Sequence, residues 1–236
     1  MPASRTTRTF FGCGCCGPTE MRRVAALLAV LLLPCLTAWA GAVTVSVTDE
    51  SGKALRGAVV FLEPAPGTPS LPVASAPAVM DQIDKAFVPQ VLVVTVGSDV
   101  SFPNSDHIRH HVYSFSEARS FELPLYAGTP ADPVRFPTPG VVVLGCNIHD
   151  WMRGYIVVVP QPLFATTGED GKASISGIPA GRWRVSGWHP DVAEQRSAAG
   201  GEIDGAEPAS TADLRLALKR KLQLRRAPAG RTTDRY

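Results

Sequence analysis

The residues best suited to chemistry lie close together, at positions 146–152 of a chain of 236 residues. Cys146, His149 and Met152 follow the pattern Cys-x2-His-x2-Met and offer a thiolate, an imidazole and a thioether. Thiolate and thioether are soft ligands that select copper, and two histidines, one cysteine and a weak axial methionine form the ligand set of a blue-copper site. The segment therefore predicts a copper site that lacks only a second histidine.

The second histidine is predicted to come from residues 102–112. This segment holds three histidines, His107, His110 and His111. Because side chains alternate along a strand, His111 shares a face with Tyr113 and Phe115, an aromatic face that could point inward, whereas His110 lies on the opposite face. Alternation thus leaves both His110 and His111 open as the ligand, and His107 is expected in a loop.

Cys146 is the cysteine that remains once an N-terminal leader is removed. The other four of the five cysteines are Cys13, Cys15, Cys16 and Cys35. A lone thiol in an oxidising compartment is buried, paired between chains, catalytic or bound to a metal, and the nearby His149 and Met152 favour the metal. Asp106 and Asp150 flank these ligands but bind copper less well, so we expect both carboxylates to be solvated.

The leader itself is predicted at residues 21–40. Met21 and two arginines form a basic start, residues 24–33 are apolar, and residues 38–40 read Ala-Trp-Ala before Gly41. This is the pattern of a cleaved secretory signal, and its apolar run is too short to span a bilayer. We expect a periplasmic protein that is mature from about Gly41, with no membrane span. Residues 1–20 are interpreted as a mis-start upstream of the true initiator Met21.

The elements that must position the site are short strands. Segments with alternating or β-branched residues, separated by Gly- and Pro-containing turns, occur at 43–48, 57–62, 91–96, 99–102, 111–115, 141–144, 155–159, 173–175 and 182–188. No segment has a convincing helical period, so the chain is predicted to be all-β. The turn at residues 49–52 predicts that the first two strands form a hairpin. The near balance of 23 Lys+Arg against 21 Asp+Glu argues against nucleic acid as a partner.

The copper segment resembles that of the cupredoxin family, in its amicyanin- and plastocyanin-like branch. The motif His-Asp-Trp-Met-Arg-Gly at 149–154, followed by an apolar strand, resembles the short ligand loop of these proteins. The spacing from Asn104 to His110 matches the family's first ligand segment, which implies His110 as the ligand and places His111 where the family has Asn. The chain also resembles exported bacterial cupredoxins often labelled methylamine-utilisation proteins.

This resemblance implies a Greek-key β-sandwich with one type-1 copper ion bound by His110, Cys146, His149 and Met152. It implies a single-electron carrier. Because no general base, nucleophile–base pair or open catalytic metal position is evident in the sequence, we expect that the protein is not an enzyme. The alternatives are a copper carrier or buffer without a dedicated redox partner, and a structural β-sandwich adhesion module. A redox protein partner, a periplasmic cytochrome or dehydrogenase, is expected to dock near His149 and Trp151. Alternatively, Trp151 packs against the loop at 126–130.

The flanking segments resemble a second β-sandwich of the transthyretin-like, carboxypeptidase-regulatory-like type. Neither flank has enough strands to close a core alone, since isolated hairpins are marginal. We therefore expect residues 41–63 and 160–226 to form one sandwich into which the cupredoxin domain, 79–159, is inserted. Residues 64–78 are rich in Pro, Ala and Ser and predict a linker, and 227–236 are expected to be a disordered tail.

Overall fold

The structure is a computed structural model that describes residues 41–130, 132–193 and 197–219. The predicted mis-start, signal peptide and C-terminal tail lie outside the described residues, as do positions 220–226. The described residues form seventeen β-strands and no helix, which confirms the all-β prediction. Within these ranges, accordingly, no helix has the length and hydropathy needed to cross a bilayer.

The strands are short, as the frequent Gly and Pro residues lead one to expect. In chain order they are β1 (Gly41–Asp49), β2 (Val59–Pro64), β3 (Ala78–Val79), β4 (Asp81–Ile83), β5 (Ala86–Val88), β6 (Val91–Thr95), β7 (Ser98–Ser101), β8 (His110–Ser116), β9 (Arg119–Tyr126), β10 (Val134–Phe136), β11 (Gly140–Cys146), β12 (His149–Val159), β13 (Phe164–Thr166), β14 (Lys172–Ile178), β15 (Arg182–Trp188), β16 (Ala198–Asp204) and β17 (Ser210–Leu216).

The middle of the chain builds a sandwich with Greek-key connections. One sheet has five strands in the order β6-β12-β11-β8-β9, and a second has three in the order β10-β7-β3. The chain crosses back and forth between the two sheets, so that β6 lies parallel to β12 although they are far apart in sequence. One hydrophobic core lies in this part of the chain, and Cys146 and Met152 belong to it.

The second half of strand β12, from Gly154 onward, is buried on both faces. Ile156 and Val158 lie in the core that contains Cys146, whereas Tyr155, Val157 and Val159 lie in a second core. Successive side chains of a strand point to opposite faces of its sheet. The strand that begins at the candidate ligand His149 therefore contributes to two hydrophobic cores at once.

The second core is formed largely by strands from the two flanks. These strands make a three-stranded sheet, β14-β1-β17, and a four-stranded sheet, β13-β2-β15-β16. Strand β1 pairs with β14 and β17, and β2 pairs with β13 and β15, so the N-terminal flank pairs with strands beyond residue 160. The largest side chains of this core are those of Trp183 and Trp188, both fully buried.

The predicted hairpin between the first two strands is wrong, because β1 and β2 belong to different sheets. The turn does form, since the Asp49 carboxylate accepts hydrogen bonds from the backbone of Ser51 and Lys53. The chain then changes direction near Gly57, whose φ of 77° suits glycine. The first four residues of β2 are all buried, so the strand occupies an interior position between two partners instead of pairing with β1.

Candidate metal centre

Three of the four predicted ligands meet at one end of the central sandwich. His110 begins β8, Cys146 ends β11 and His149 begins β12. The Cys146 Sγ atom lies 3.7 Å from Nδ1 of His110 and 3.6 Å from Nδ1 of His149. A ligand atom from each of the three residues lies within 4.8 Å of the other two. Among the residues that the structure describes, this is the one cluster of three or more metal-binding side chains of the His, Cys, Asp and Glu types.

The local fold explains why Cys146 and His149 meet. Along β11 the side chains of Val142, Leu144 and Cys146 point inward, as alternation requires, and all three are buried. The two-residue connection from 147 to 148 then reverses the chain, and Cys146 pairs directly with His149. The register shifts next to Cys146, because Gly145 pairs with Arg153 and Cys146 with His149, so residues 150–152 of β12 have no partner in β11.

The spacing of these atoms suits a bound first-row transition metal. A metal about 2.0 Å from a nitrogen and about 2.3 Å from a sulfur, at an angle of about 115°, separates the two atoms by about 3.6 Å. The two observed distances, 3.6 and 3.7 Å, agree with this value. One soft thiolate beside two imidazoles is a donor set for copper or zinc, and a methionine as fourth ligand favours copper. The residues present therefore fit the predicted metal.

Met152 is buried in the same core as Cys146. It lies on β12, three residues after His149, and its side chain points inward with those of Ile156 and Val158. Cys146 and Met152 also line the same groove, which has a volume of about 1020 Å³ and is bounded on another side by Tyr113. Met152 therefore shares both its core and its groove with Cys146.

His110, and not His111, joins Cys146 and His149. His110 is fully buried, whereas Nε2 of His111 lies 2.7 Å from the Glu122 carboxylate of the neighbouring strand. The aromatic face that His111 shares with Phe115 points outward, and Phe115 is 81% exposed. Alternation alone allows the face with His111 and Phe115 to point inward. In the structure the opposite face of β8, which carries His110 and Val112, packs into the core.

The expectation that Asp106 is solvated is wrong. Its Oδ2 atom lies 2.8 Å from Nε2 of His110 and accepts a 2.9 Å hydrogen bond from the Lys85 backbone N–H, while Oδ1 accepts a 2.6 Å bond from the Asp84 N–H. Burial alone would raise the pKa of Asp106, but the hydrogen bonds from Lys85, His110 and Asp84 hold it below its usual value. The sequence contains no local signal for these contacts, because Asp84 and Lys85 lie more than twenty residues upstream. Asp150, by contrast, is exposed.

Asn104 holds the loop that connects β7 to His110. Its Nδ2 group donates hydrogen bonds to the carbonyls of Ile108 and Tyr126, and its Oδ1 atom accepts one from the Asp106 N–H. These three bonds close the loop on itself and connect it to β9. The loop therefore enters β8 in a defined orientation, with the His110 side chain directed into the core.

His149 lies at the protein surface beside exposed apolar side chains. Its ring is 5.2 Å from the ring of Trp151, which is 70% exposed, and Ile148 is 50% exposed. Partial burial lowers the pKa of His149, with smaller contributions from the nearby charges of His110 and Lys85. The alternative position of Trp151, packed against the loop at 126–130, is not the one observed.

The comparisons with known proteins found similar solved structures. No family model and no curated protein matches the chain. The P52G mutant of amicyanin in its reduced Cu(I) form is 26% identical, with a TM-score of 0.33, over 37% of this chain and 86% of that chain. The copper-containing nitrite reductase NirK from Thermus scotoductus SA-01 is 28% identical, with a TM-score of 0.34, over 43% and 26%. A purple cupredoxin from Nitrosopumilus maritimus is 20% identical, with a TM-score of 0.31, over 36% and 100%.

Proposed function

We propose that this protein is a periplasmic type-1 copper protein that carries single electrons. The observation that carries the proposal is the convergence of His110, Cys146 and His149, with sulfur–nitrogen distances that suit a bound metal. Met152, buried in the same core as Cys146, is proposed as the axial ligand. Copper in such a site accepts and releases one electron.

The protein's own residues prepare this site before any metal binds. Cys146 and Met152 are buried in the hydrophobic core. The Nε2 atom of His110 is hydrogen-bonded to the Asp106 carboxylate, on the side of the ring away from Cys146. Ligands held in this way change position little between two oxidation states, so electron transfer requires little rearrangement. His149 reaches the surface next to Trp151, and we propose this face as the docking surface for a redox protein partner such as a periplasmic cytochrome or dehydrogenase.

The remaining predictions are part of the same proposal. We propose that residues 79–159 are a cupredoxin domain, with 64–78 as its connection, and that 41–63 and 160–226 form the second sandwich. The pairing of β1 and β2 with strands beyond residue 160 supports this division. We also propose that the chain is exported by the signal at 21–40 and is not an enzyme. Its relation to the exported cupredoxins labelled methylamine-utilisation proteins remains a prediction.

The decisive experiment is to express the chain from Gly41, add Cu(II), and record the visible absorption spectrum and the voltammogram. A type-1 electron carrier gives an intense thiolate-to-copper band and a reversible one-electron wave. Cys146→Ser abolishes the band and most of the copper affinity, because a hydroxyl is a harder and poorer ligand for copper. His107→Ser, which removes an exposed histidine of the neighbouring loop, is the matched control and leaves the spectrum unchanged.

The alternatives give different results in the same experiment. A copper carrier or buffer binds the metal but passes it readily to an apo-acceptor, without reversible voltammetry. An adhesion module binds no copper, and Cys146→Ser then has no spectroscopic effect. Retention of the intense band by Cys146→Ser would exclude the proposed ligand set.

A further inference from the structure

The turn between β4 and β5 contacts the candidate metal centre through Asp106. Ile83 and Ala86 pair across this hairpin, which leaves Asp84 and Lys85 as a two-residue turn. Their φ angles are 53° and 57°, in the left-handed region that non-glycine residues seldom occupy. Both backbone N–H groups of the turn donate hydrogen bonds to the Asp106 carboxylate.

We propose that this turn and Asp106 act as a positioning device for His110, which fixes the tautomer of its ring and thereby sets the affinity and reduction potential of bound copper. The inference rests on the proposed function only for its effect on copper. Its effect on the His110 ring concerns the metal-free protein.

The hydrogen-bond geometry assigns the proton on His110. The Nε2 atom faces a carboxylate oxygen at 2.8 Å, and Nδ1 faces the Cys146 sulfur. An ionised carboxylate accepts hydrogen bonds but cannot donate one, so the neutral ring carries its proton on Nε2. The lone pair of Nδ1 is then directed at the Cys146 side, where a metal would bind. A histidine that binds a metal through one ring nitrogen generally donates its other ring N–H to a carboxylate, a backbone carbonyl or a water in this way.

The turn holds Asp106 more tightly than a solvated carboxylate would be held. Oδ1 accepts from Asp84, and Oδ2 is shared between Lys85 and His110, so rotation of the carboxylate would break all three contacts. A two-residue turn of type I′ requires positive φ at both central residues, and the second of them is most often glycine. Here it is Lys85. Unfavourable backbone conformations of this kind persist where the surrounding structure maintains them, often at functional sites.

The hairpin is in turn attached to the loop that contains Asp106. Strand β4 bonds to this loop through Gln82, whose N–H donates to the Pro103 carbonyl and whose carbonyl accepts from the Ser105 N–H. The Ser105 hydroxyl donates a 2.8 Å hydrogen bond to the Asp81 carboxylate. These contacts fix the turn relative to Asp106, so the turn and the carboxylate form one connected unit.

The expected effect on copper follows from the charge of the carboxylate. A negative charge on the far side of His110 favours the higher oxidation state of the metal and makes the imidazole a stronger donor. Loss of a side chain that accepts a hydrogen bond from a metal ligand typically lowers metal affinity by about 10–100-fold. If the loss falls on Cu(II) alone, each factor of ten raises the one-electron potential by about 59 mV.

The first test is nitrogen NMR of the metal-free wild-type chain. The His110 ring is expected in the Nε2–H tautomer, with a slowly exchanging ring proton. A ring protonated on Nδ1, or a rapidly exchanging mixture of tautomers, would overturn the proposal. This measurement needs neither a variant nor copper, so it is independent of whether the chain is an electron carrier.

The second test compares Asp106→Asn with Asp150→Asn. Both remove one carboxylate near the site, but Asp150 is exposed, whereas the carboxylate that pairs with His110 among the described residues is that of Asp106. Asp106→Asn is expected to disturb the tautomer of His110, to weaken Cu(II) binding by about 10–100-fold and to raise the potential. Asp150→Asn is expected to leave the tautomer unchanged and to shift the potential less. Equal effects of the two variants would show that charge alone matters and would refute the positioning role.

The third test isolates the turn by comparing Asp84→Pro with Asp84→Gly. Both remove the Asp84 carboxylate, but only proline removes the N–H donor and excludes a positive φ. Asp84→Gly is expected to keep the wild-type tautomer and potential, and Asp84→Pro to shift both in the direction of Asp106→Asn. If Asp84→Pro matches Asp84→Gly in both, the turn does not position Asp106. If wild-type chain binds no copper while the tautomer is as expected, the proposed function fails and the positioning of His110 stands.

Discussion

Replacement of Gly154 by alanine tests whether the β4–β5 hairpin is held against β12. A Cβ atom at Gly154 would lie 2.8 Å from Cβ of Phe87 and 2.9 Å from two atoms of its ring. Carbon atoms in contact are ordinarily about 3.5–4.0 Å apart, so the two strands must separate by roughly 0.7–1.2 Å. The clash includes the Cβ atom of Phe87, which cannot move without its backbone. Phe87 is only 2% exposed, so its ring has little room to move away from the new Cβ atom.

Overpacking of this kind costs about 1–3 kcal/mol, and we expect Gly154→Ala to lower the free energy of unfolding by that amount. The measurement is urea-induced unfolding of the metal-free chain, followed by tryptophan fluorescence. Because the displaced strand leads directly from the turn at 84–85, the hydrogen bonds from this turn to Asp106 should lengthen. Faster hydrogen exchange at the Asp84 and Lys85 amides is the expected local sign.

The matched control is Gly201→Ala, where a new Cβ atom has no neighbour within 4 Å. Alanine is the better strand residue of the two, so this control should be neutral or slightly stabilising. A Gly154→Ala variant as stable as wild type, within about 0.5 kcal/mol, would refute the reasoning that β5 and β12 are rigidly packed, since surface substitutions vary by that much. If Gly154→Ala lowers the stability but leaves hydrogen exchange at the Asp84 and Lys85 amides unchanged, the packing of β5 against β12 does not influence the position of Asp106.

Three further predictions concern the ligands, the docking surface and a buried phenol. His110→Ala should open a coordination position that added imidazole fills and so restore the visible band, whereas His111→Ala should leave the spectrum intact; the reverse result would reassign the ligand. Trp151→Ala should preserve the spectrum and stability but slow electron exchange with a protein partner. Phe115→Ala, which removes an 81% exposed aromatic side chain of β8, should not slow the exchange, and equal slowing by both variants would exclude a specific docking role. Burial raises the pKa of Tyr126 to about 12, so spectrophotometric titration should show one phenol ionising about two units above the ordinary value, absent in Tyr126→Phe. Because the pKa is raised on folding, the protonated phenol stabilises the fold fully below about pH 10, and this contribution is lost as the pH rises towards 12.

The sequence alone was sufficient for the all-β class and for the candidate ligands on the 146–152 segment. Period-two alternation and Gly/Pro turns are local features, and each strand segment carries them independently of its partners. Cys146, His149 and Met152 could be recognised for the same reason, because a tight turn between two paired strands brings residues that are close in sequence close in space.

Strand pairing could not be obtained in this way. The first two strands were predicted as a hairpin, since a good turn separates them, yet they lie in different sheets. Local alternation says which face of a strand is apolar but does not say which other strand lies beside it. Pairing between β1 and β17 joins residues about 170 positions apart, and only the packing of the complete core selects it.

The choice between His110 and His111 shows the same division within the site. Alternation placed the two residues on opposite faces of β8 but could not say which face is inside. The tertiary structure decides, because Val112 and Ser114, on the His110 side, pack into the core, whereas Phe115 remains in solvent. For Asp106 the sequence gives no indication of which residues contact its carboxylate. Its hydrogen-bond donors belong to a hairpin more than twenty residues upstream. These donors are backbone N–H groups, so the contact depends on the φ angles of the turn and not on which side chains the turn carries.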